Sequence, residues 1–146
     1  MLIGYRASTG RQVREEHAHY GTGSVDKEAI TFDHEKLDVY QRALEFVAWC
    51  ELLREEQVVP HSFQTVFDRT STAQVLNIAE GNGKFSTKDR CRFIGHARTA
   101  ALQAAANLDV VTARHPELSD RGRQGKAVLS DIVRMLVAWQ RSISGE

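Results

Sequence analysis

The chain is expected to be all-α, an antiparallel up-down-up-down four-helix bundle, and three observations predict this. Apolar residues recur at helical spacing over long stretches from about His34 onward, the period of helices that bury one face. Pro60, the Gly81 to Gly83 stretch and Pro116 interrupt that period, and the connections they mark are short enough to force neighbouring helices antiparallel. No stretch alternates apolar and polar residues as a half-buried strand would.

The 146 residues suit one domain, and 42% hydrophobic content supports a modest core. Residues 1–31 hold Gly4, Gly10, Gly21 and Gly23 among polar positions without a sustained period. They are expected as a flexible N-terminal extension ahead of a bundle domain at 32–146. The first helix is expected from about His34 to Glu56, with Leu37, Tyr40, Leu44 and Val47 as its stripe and Ala43, Phe46 and Cys50 widening it. Val58-Val59-Pro60 ends that helix. Ser62 is the expected N-cap of the second, which carries Phe63, Val66, Phe67, Ala73, Val75, Leu76 and Ile78. The small hydroxyls of Thr70-Ser71-Thr72 mark a place for close packing.

The run from Asn77 to Lys84, followed by Ser86-Thr87-Lys88-Asp89, reads as one helix stopping and the next starting. Gly81 is expected to take the left-handed conformation that closes a helix, and Gly83 to let the chain turn without a side-chain clash. Ser86 is the expected N-cap of the third helix, with Asp89 in the capping-box position. Glu80 faces the negative end of the helix dipole, which costs a few tenths of a kcal/mol. It is therefore expected to pair with a cation such as Lys84 or to accept amides from the following helix.

The third helix, Thr87 to about His115, presents Phe93, Ile94, Ala97, Ala100, Ala101, Ala104, Ala105 and Leu108, a face of methyl groups that lets helix axes approach closely. His115-Pro116 ends it, and Ser119 is the expected cap of a fourth helix whose Val128, Leu129, Ile132, Met135, Leu136, Trp139 and Ile143 cover one side. Phe46 and Trp49 sit at the edge of the first helix's stripe, and a four-helix core has limited room. A second apolar surface, and with it self-association, is therefore expected; the alternative is that these aromatics widen the intramolecular core.

Lys and Arg number 19 and Asp and Glu 19, so no global field draws the chain to nucleic acid or membrane and any such binding must be local. The first helix is acidic, with Glu45, Glu51, Glu55 and Glu56 among its charges. Between His61 and Arg98 the balance reverses, and Lys88, Arg92 and His96 share one stripe. Arg123, Lys126, Arg134 and Arg141 project from one face of the fourth helix with no acid in that row. Three readings compete: a solvated polar face, pairing of the acidic helix with a basic helix of a neighbouring subunit, and phosphate binding. The candidate nucleic-acid-binding residues are Lys84, Lys88, Arg92, Arg123, Lys126, Arg134 and Arg141.

Cys50 and Cys91 lie in helical patterns without metal-type spacing, so they read as small core residues in a reducing compartment, with no disulfide. No signal-type segment and no run near 18 apolar residues occurs, so a cytoplasmic protein without a membrane partner is expected. Glu16-His17-Ala18-His19 contains one Glu-x-x-His, whereas a di-iron bundle needs two such elements and further carboxylates; no metal or other cofactor is expected. Arg54 and His61 are similar to the Arg and His pair of helical ribonucleases, but Pro60 breaks the helical geometry between them. No phosphate-binding glycine loop, nucleophile elbow or zinc cluster appears, so no catalytic residue is assigned and a non-enzymatic protein is expected.

Phe32-Asp33-His34-Glu35-Lys36-Leu37-Asp38-Val39-Tyr40-Gln41-Arg42-Ala43, then Asn77-Ile78-Ala79-Glu80-Gly81 with Gly83, Lys84, Ser86, Asp89 and Phe93, resemble the bacterial four-helix-bundle proteins found in intervening sequences of 23S rRNA genes. That family includes the accessory protein of diversity-generating retroelements. The resemblance covers roughly residues 32–144. It implies a four-helix protomer in a homopentamer and, for the retroelement member, a basic barrel that binds RNA or DNA and a reverse transcriptase. The chain departs from the family where Thr99-Ala100 and Gln103 stand in place of Gly-Ser and Glu, changes expected to remove a charge from the bundle interior.

Overall fold

The computed structural model describes residues 31–146; the expected extension before Phe32, with its Glu16-x-x-His19 pair, lies outside them but for Thr31. Four helices follow in order, α1 Asp38–Glu56, α2 His61–Gly83, α3 Thr87–Arg114 and α4 Ser119–Ser144, with 3-10 turns at Asp33–Lys36 and Pro116–Leu118. Among the described residues there is no strand. The all-α, four-helix expectation holds.

Residue pairs across the seams give the helix directions. On the α2–α3 seam, Asn107 Nδ2 donates to the Phe63 carbonyl at 3.2 Å, and Gly81 meets Phe93 at the other end. On the α3–α4 seam, Thr112 meets Gly122, Leu108 meets Gly125, and Gln140 Nε2 donates to the Cys91 carbonyl at 3.4 Å. On the α1–α4 seam, Trp49 meets Gly125 and Arg42 meets Asp131. In every case numbers rise along one helix as they fall along the other, so each of these neighbours runs antiparallel.

Helix boundaries differ from the expected ones for local reasons. The first helix does not begin at His34: Phe32 N–H donates to the Glu35 carboxylate at 3.1 Å, Leu37 is extended, and α1 starts at Asp38, because side chains bonding nearby backbone compete with helix. Ser62 is not a cap, since Pro60 supplies the carbonyl that accepts from Phe63 and Gln64 N–H at 3.0 and 3.1 Å and the helix opens at His61. Ser119 is not a cap either; the turn before α4 is already helical, and the Ser119 hydroxyl donates to the Pro116 carbonyl at 2.7 Å.

The corner also moves. α2 continues through Gly81 to Gly83, and neither glycine has positive φ. Only Lys84 to Ser86 separate the two helices, with Lys84 and Ser86 both extended. Gly81 is small for packing: a Cβ there would lie 3.3 Å from Phe93 Cβ and 3.4 Å from the Arg90 carbonyl, so the glycine sets how closely α2 and α3 approach.

The core is built from Ala43, Phe46, Trp49 and Leu53 of α1, Phe67 and Ile78 of α2, the Ala97, Ala101, Ala104, Leu108 face of α3, and Val128, Leu129, Ile132 and Leu136 of α4. Leu44 and Leu76, expected in the core stripes, remain exposed. Trp49 and Phe46 are instead fully buried, stacked on each other with ring centres 5.7 Å apart, which overturns the expectation that they form a second apolar surface. The reason lies on α4. A Cβ at Gly125 would sit 2.6 Å from Trp49 Cη2 and 2.8 Å from Leu108 Cδ1, so the missing side chain is the slot into which the indole fits. Glycine inside a helix costs about 1 kcal/mol relative to alanine, and burial of the large indole offsets that cost.

The inward stripe of α2 is polar by comparison. Gln64, Thr70, Ser71 and Gln74 are all buried. Thr70 Oγ1 donates to the Val66 carbonyl at 2.8 Å and Gln64 Nε2 to the Cys50 carbonyl at 3.1 Å; of the hydroxyl run, Thr70 and Ser71 turn inward and Thr72 is exposed. Gln74 has neither amide atom hydrogen-bonded within the protein.

Candidate nucleic-acid interface

The seven basic candidates do not form one surface. On α4, three of four have an acid beside them outside their row: Arg123 pairs with Asp120, Arg134 with Asp131, and Lys126 with Asp109 of α3 at 2.7 Å, each an exposed pair that holds its partner weakly. The row is free of acids only along its own line, because a residue three positions earlier lies beside it on the helix surface. Among the described residues Arg141 alone of this row has no ion pair.

Three of the acids of α1, Glu45, Glu51 and Glu56, are paired within the chain, whereas Asp38 and Glu55 have no ion pair among the described residues. Arg42 lies 2.5 Å from Glu45 and 2.7 Å from Asp131, Arg54 engages Glu51 and Asp68, and Arg121 of α4 engages Glu56. The hydrogen bond from Arg42, helped by Arg134, holds the Asp131 carboxyl below the usual carboxylate range, against the opposing effect of burial. Arg54, one half of the ribonuclease-like pair, is held by two carboxylates, while His61 opens α2.

The α2–α3 corner is different. Lys84, Lys88, Arg90 and Arg92 stand against Glu80 and Asp89 between positions 80 and 92. Glu80 reaches Lys84 at 3.3 Å, the pairing expected from the helix dipole, and Asp89 reaches Arg92 at only 3.8 Å; all four side chains are well exposed, so these pairs hold their partners weakly. Lys88 and Arg90 have no ion pair among the described residues, and Arg90 Nε has no hydrogen-bond partner. Ser86 Oγ accepts from Asp89 N–H at 3.1 Å, the hydroxyl half of the expected capping box. Asn77 is occupied with its own helix, its amide donating to the Ala73 carbonyl at 2.8 Å.

Two aromatics, neither weighed in the sequence as part of a site, organise this corner. The Phe93 ring has Lys84 Nζ and Arg92 Cζ each 5.0 Å from its centre, and His96 meets it edge-on at 5.8 Å. The ring quadrupole attracts both cations. Phe85, in the connection itself, is 103% exposed. The available signal was an aromatic placed directly between Lys84 and a helix N-cap, in a stretch with no apolar periodicity.

Thr99 and Gln103 are exposed on α3, so the family departure at these positions lies on the surface and takes no charge from the interior; only Ala100 is buried. Burial pushes the Cys50 thiol far up, which leaves it unreactive, and both cysteines are free. Among the described residues no cluster of His, Cys, Asp or Glu could hold a metal ion, and no helix is long and apolar enough to cross a membrane. No family model, no curated protein and no solved structure matches the chain.

Proposed function

We propose that this is a non-enzymatic, self-associating helical-bundle protein of the cytoplasm that acts as a scaffold or accessory protein for RNA or DNA, or for an enzyme that works on them. The single observation that carries the reading is the uneven charge of the α2–α3 corner, where Lys84, Lys88, Arg90 and Arg92 outnumber Glu80 and Asp89 within thirteen residues of a chain whose total charge is balanced. Modest patches of this kind become effective when copies assemble, because each copy adds to one polyvalent surface. Self-association is supported by large apolar side chains left in water, Leu76 at 61% and Leu102 at 52% exposure. The resemblance to the intervening-sequence family suggests five copies and, for a retroelement setting, a reverse transcriptase as the partner enzyme.

The test is a fluorescence-anisotropy titration with RNA and with single-stranded DNA at two salt concentrations. Three phosphate contacts per protomer predict a slope of log K against log salt of about −2, and Lys88→Gln should reduce its magnitude by about 0.7. The second reading, a structural oligomer without nucleic-acid affinity, is favoured by the acids paired with the α4 row. It predicts an assembled particle in sedimentation with no binding at either salt concentration.

A further inference from the structure

We propose that the α2–α3 corner takes single-stranded nucleic acid rather than duplex, with the Phe85 ring as the surface on which an unpaired base stacks. The inference rests on the nucleic-acid reading above and goes beyond it by fixing the form of the ligand. Phe85 is fully exposed at the centre of a three-residue connection whose flanking residues, Lys84 and Ser86, are both extended. A phenyl ring left wholly in water gains nothing for the fold, since burial is what rewards an apolar side chain. It has two open faces. Every base has a π-face, so stacking on an aromatic is tolerant of sequence.

The charges around the ring choose among partners. Lys84 precedes it and Lys88 follows within the first turn of α3, while Lys84 and Arg92 each lie 5.0 Å from the centre of the neighbouring Phe93 ring. An apolar protein surface closing over Phe85 would have to strip water from these cations without neutralising them, which is unfavourable. A polyanion that carries aromatic bases satisfies both features at once. Duplex satisfies only the charge, because its bases already cover each other's faces and would have to be unstacked to reach the ring.

The experiment titrates the full-length chain with a labelled oligo(U), an oligo(dT) of equal length, and a duplex of mixed sequence, at low salt and at fourfold higher salt. The single strands should bind at least tenfold more tightly than the duplex. Phe85→Ala and Phe85→Leu should each weaken single-strand binding about tenfold, leave duplex binding unchanged and leave the salt slope unchanged, whereas Phe85→Trp should retain affinity. Because the ring is exposed, these variants should melt with the wild type. Equal binding of duplex and single strand, or single-strand affinity unaltered by Phe85→Ala, overturns the stacking inference, and loss of affinity in Lys88→Gln would then leave the basic-corner reading in place. Absence of binding by the wild type to all three probes overturns both. A fall in particle mass caused by Phe85→Ala, with nucleic-acid affinity retained, would assign the ring to contact between copies and also overturn the inference.

Discussion

Where α1 ends and α4 begins, the indole of Trp49 lies in the slot left by Gly125, against Leu108, and Arg121 reaches across to Glu56. Where α2 turns into α3, at the opposite end of the bundle, Phe85 touches nothing that buries it and its neighbouring cations outnumber the acids. Both places combine a large aromatic, a glycine and basic residues, yet they use them in opposite ways. At the first, glycine removes bulk so that an aromatic can be enclosed and charges are paired across helices. At the second, Gly81 draws two helices together beneath a connection that holds its aromatic outside. The difference teaches that aromatic content says little about a site until the small residues opposite it are known. A protein can carry its stability at one end and leave the other free to bind.

The largest effects should come from the enclosed aromatic. Trp49→Ala is expected to cost about 4 kcal/mol in denaturant unfolding, and Gly125→Ala about 2 kcal/mol through the clash with the indole. In a Trp49→Ala background the same Gly125→Ala change should cost less than half as much, since the indole clash is gone, helix propensity favours alanine and only the Leu108 methyl is left to shift; additive costs would show that the slot is not what holds the ring. Next comes the polar stripe of α2. Gln74→Leu should stabilise by about 1.5 kcal/mol, because both of its amide atoms are buried without a protein partner, and a loss of stability would reveal a hydrogen-bonding role.

Asp131 links the tight end of the comparison to pH. Its folded carboxyl is held below the ordinary value of 3.8 by Arg42, so it binds protons less readily in the folded state than in the unfolded one. The stabilisation is present above that ordinary value and disappears as pH falls through the depressed one. It should amount to about 1 kcal/mol for so partly exposed a pair, and Asp131→Asn should flatten the corresponding part of the stability profile between neutral and acid pH. Smallest of all is the corner pair: Glu80→Ala should lower stability by about 0.3 kcal/mol at low salt and by nothing measurable at high salt. A melting temperature unaltered at low salt would mean that Lys84 does not compensate the dipole.

What could be read from the sequence was what depends on residues three or four positions apart. The α3 N-cap at Ser86, the Glu80–Lys84 pair and the alanine face of α3 are all of this kind. The burial of Trp49 is not legible in α1 alone, because it is decided by Gly125 on the last helix; a glycine inside an amphipathic pattern is the signal for it. Lys126 could not be known to be paired, since its partner Asp109 sits 17 residues away on another helix. Arg123 and Arg134 are a different matter, as Asp120 and Asp131 stand three residues before each and were missed by looking only along the row. Gly81 suggests freedom of φ from the sequence, whereas in the fold it serves by the room it leaves for Phe93.

The short connections also set an order in which the bundle can close. The contact of Lys126 with Asp109 spans 17 residues, whereas that of Arg42 with Asp131 spans 89, so the α3–α4 hairpin needs far less chain to be gathered than the seam between the first and last helices. During synthesis the hairpin bearing Phe85 is complete before Gly125 has been added to the chain. Until that glycine arrives, Trp49 has only Phe46 and Phe67 to lean on, and one face of the indole stays open in the nascent protein.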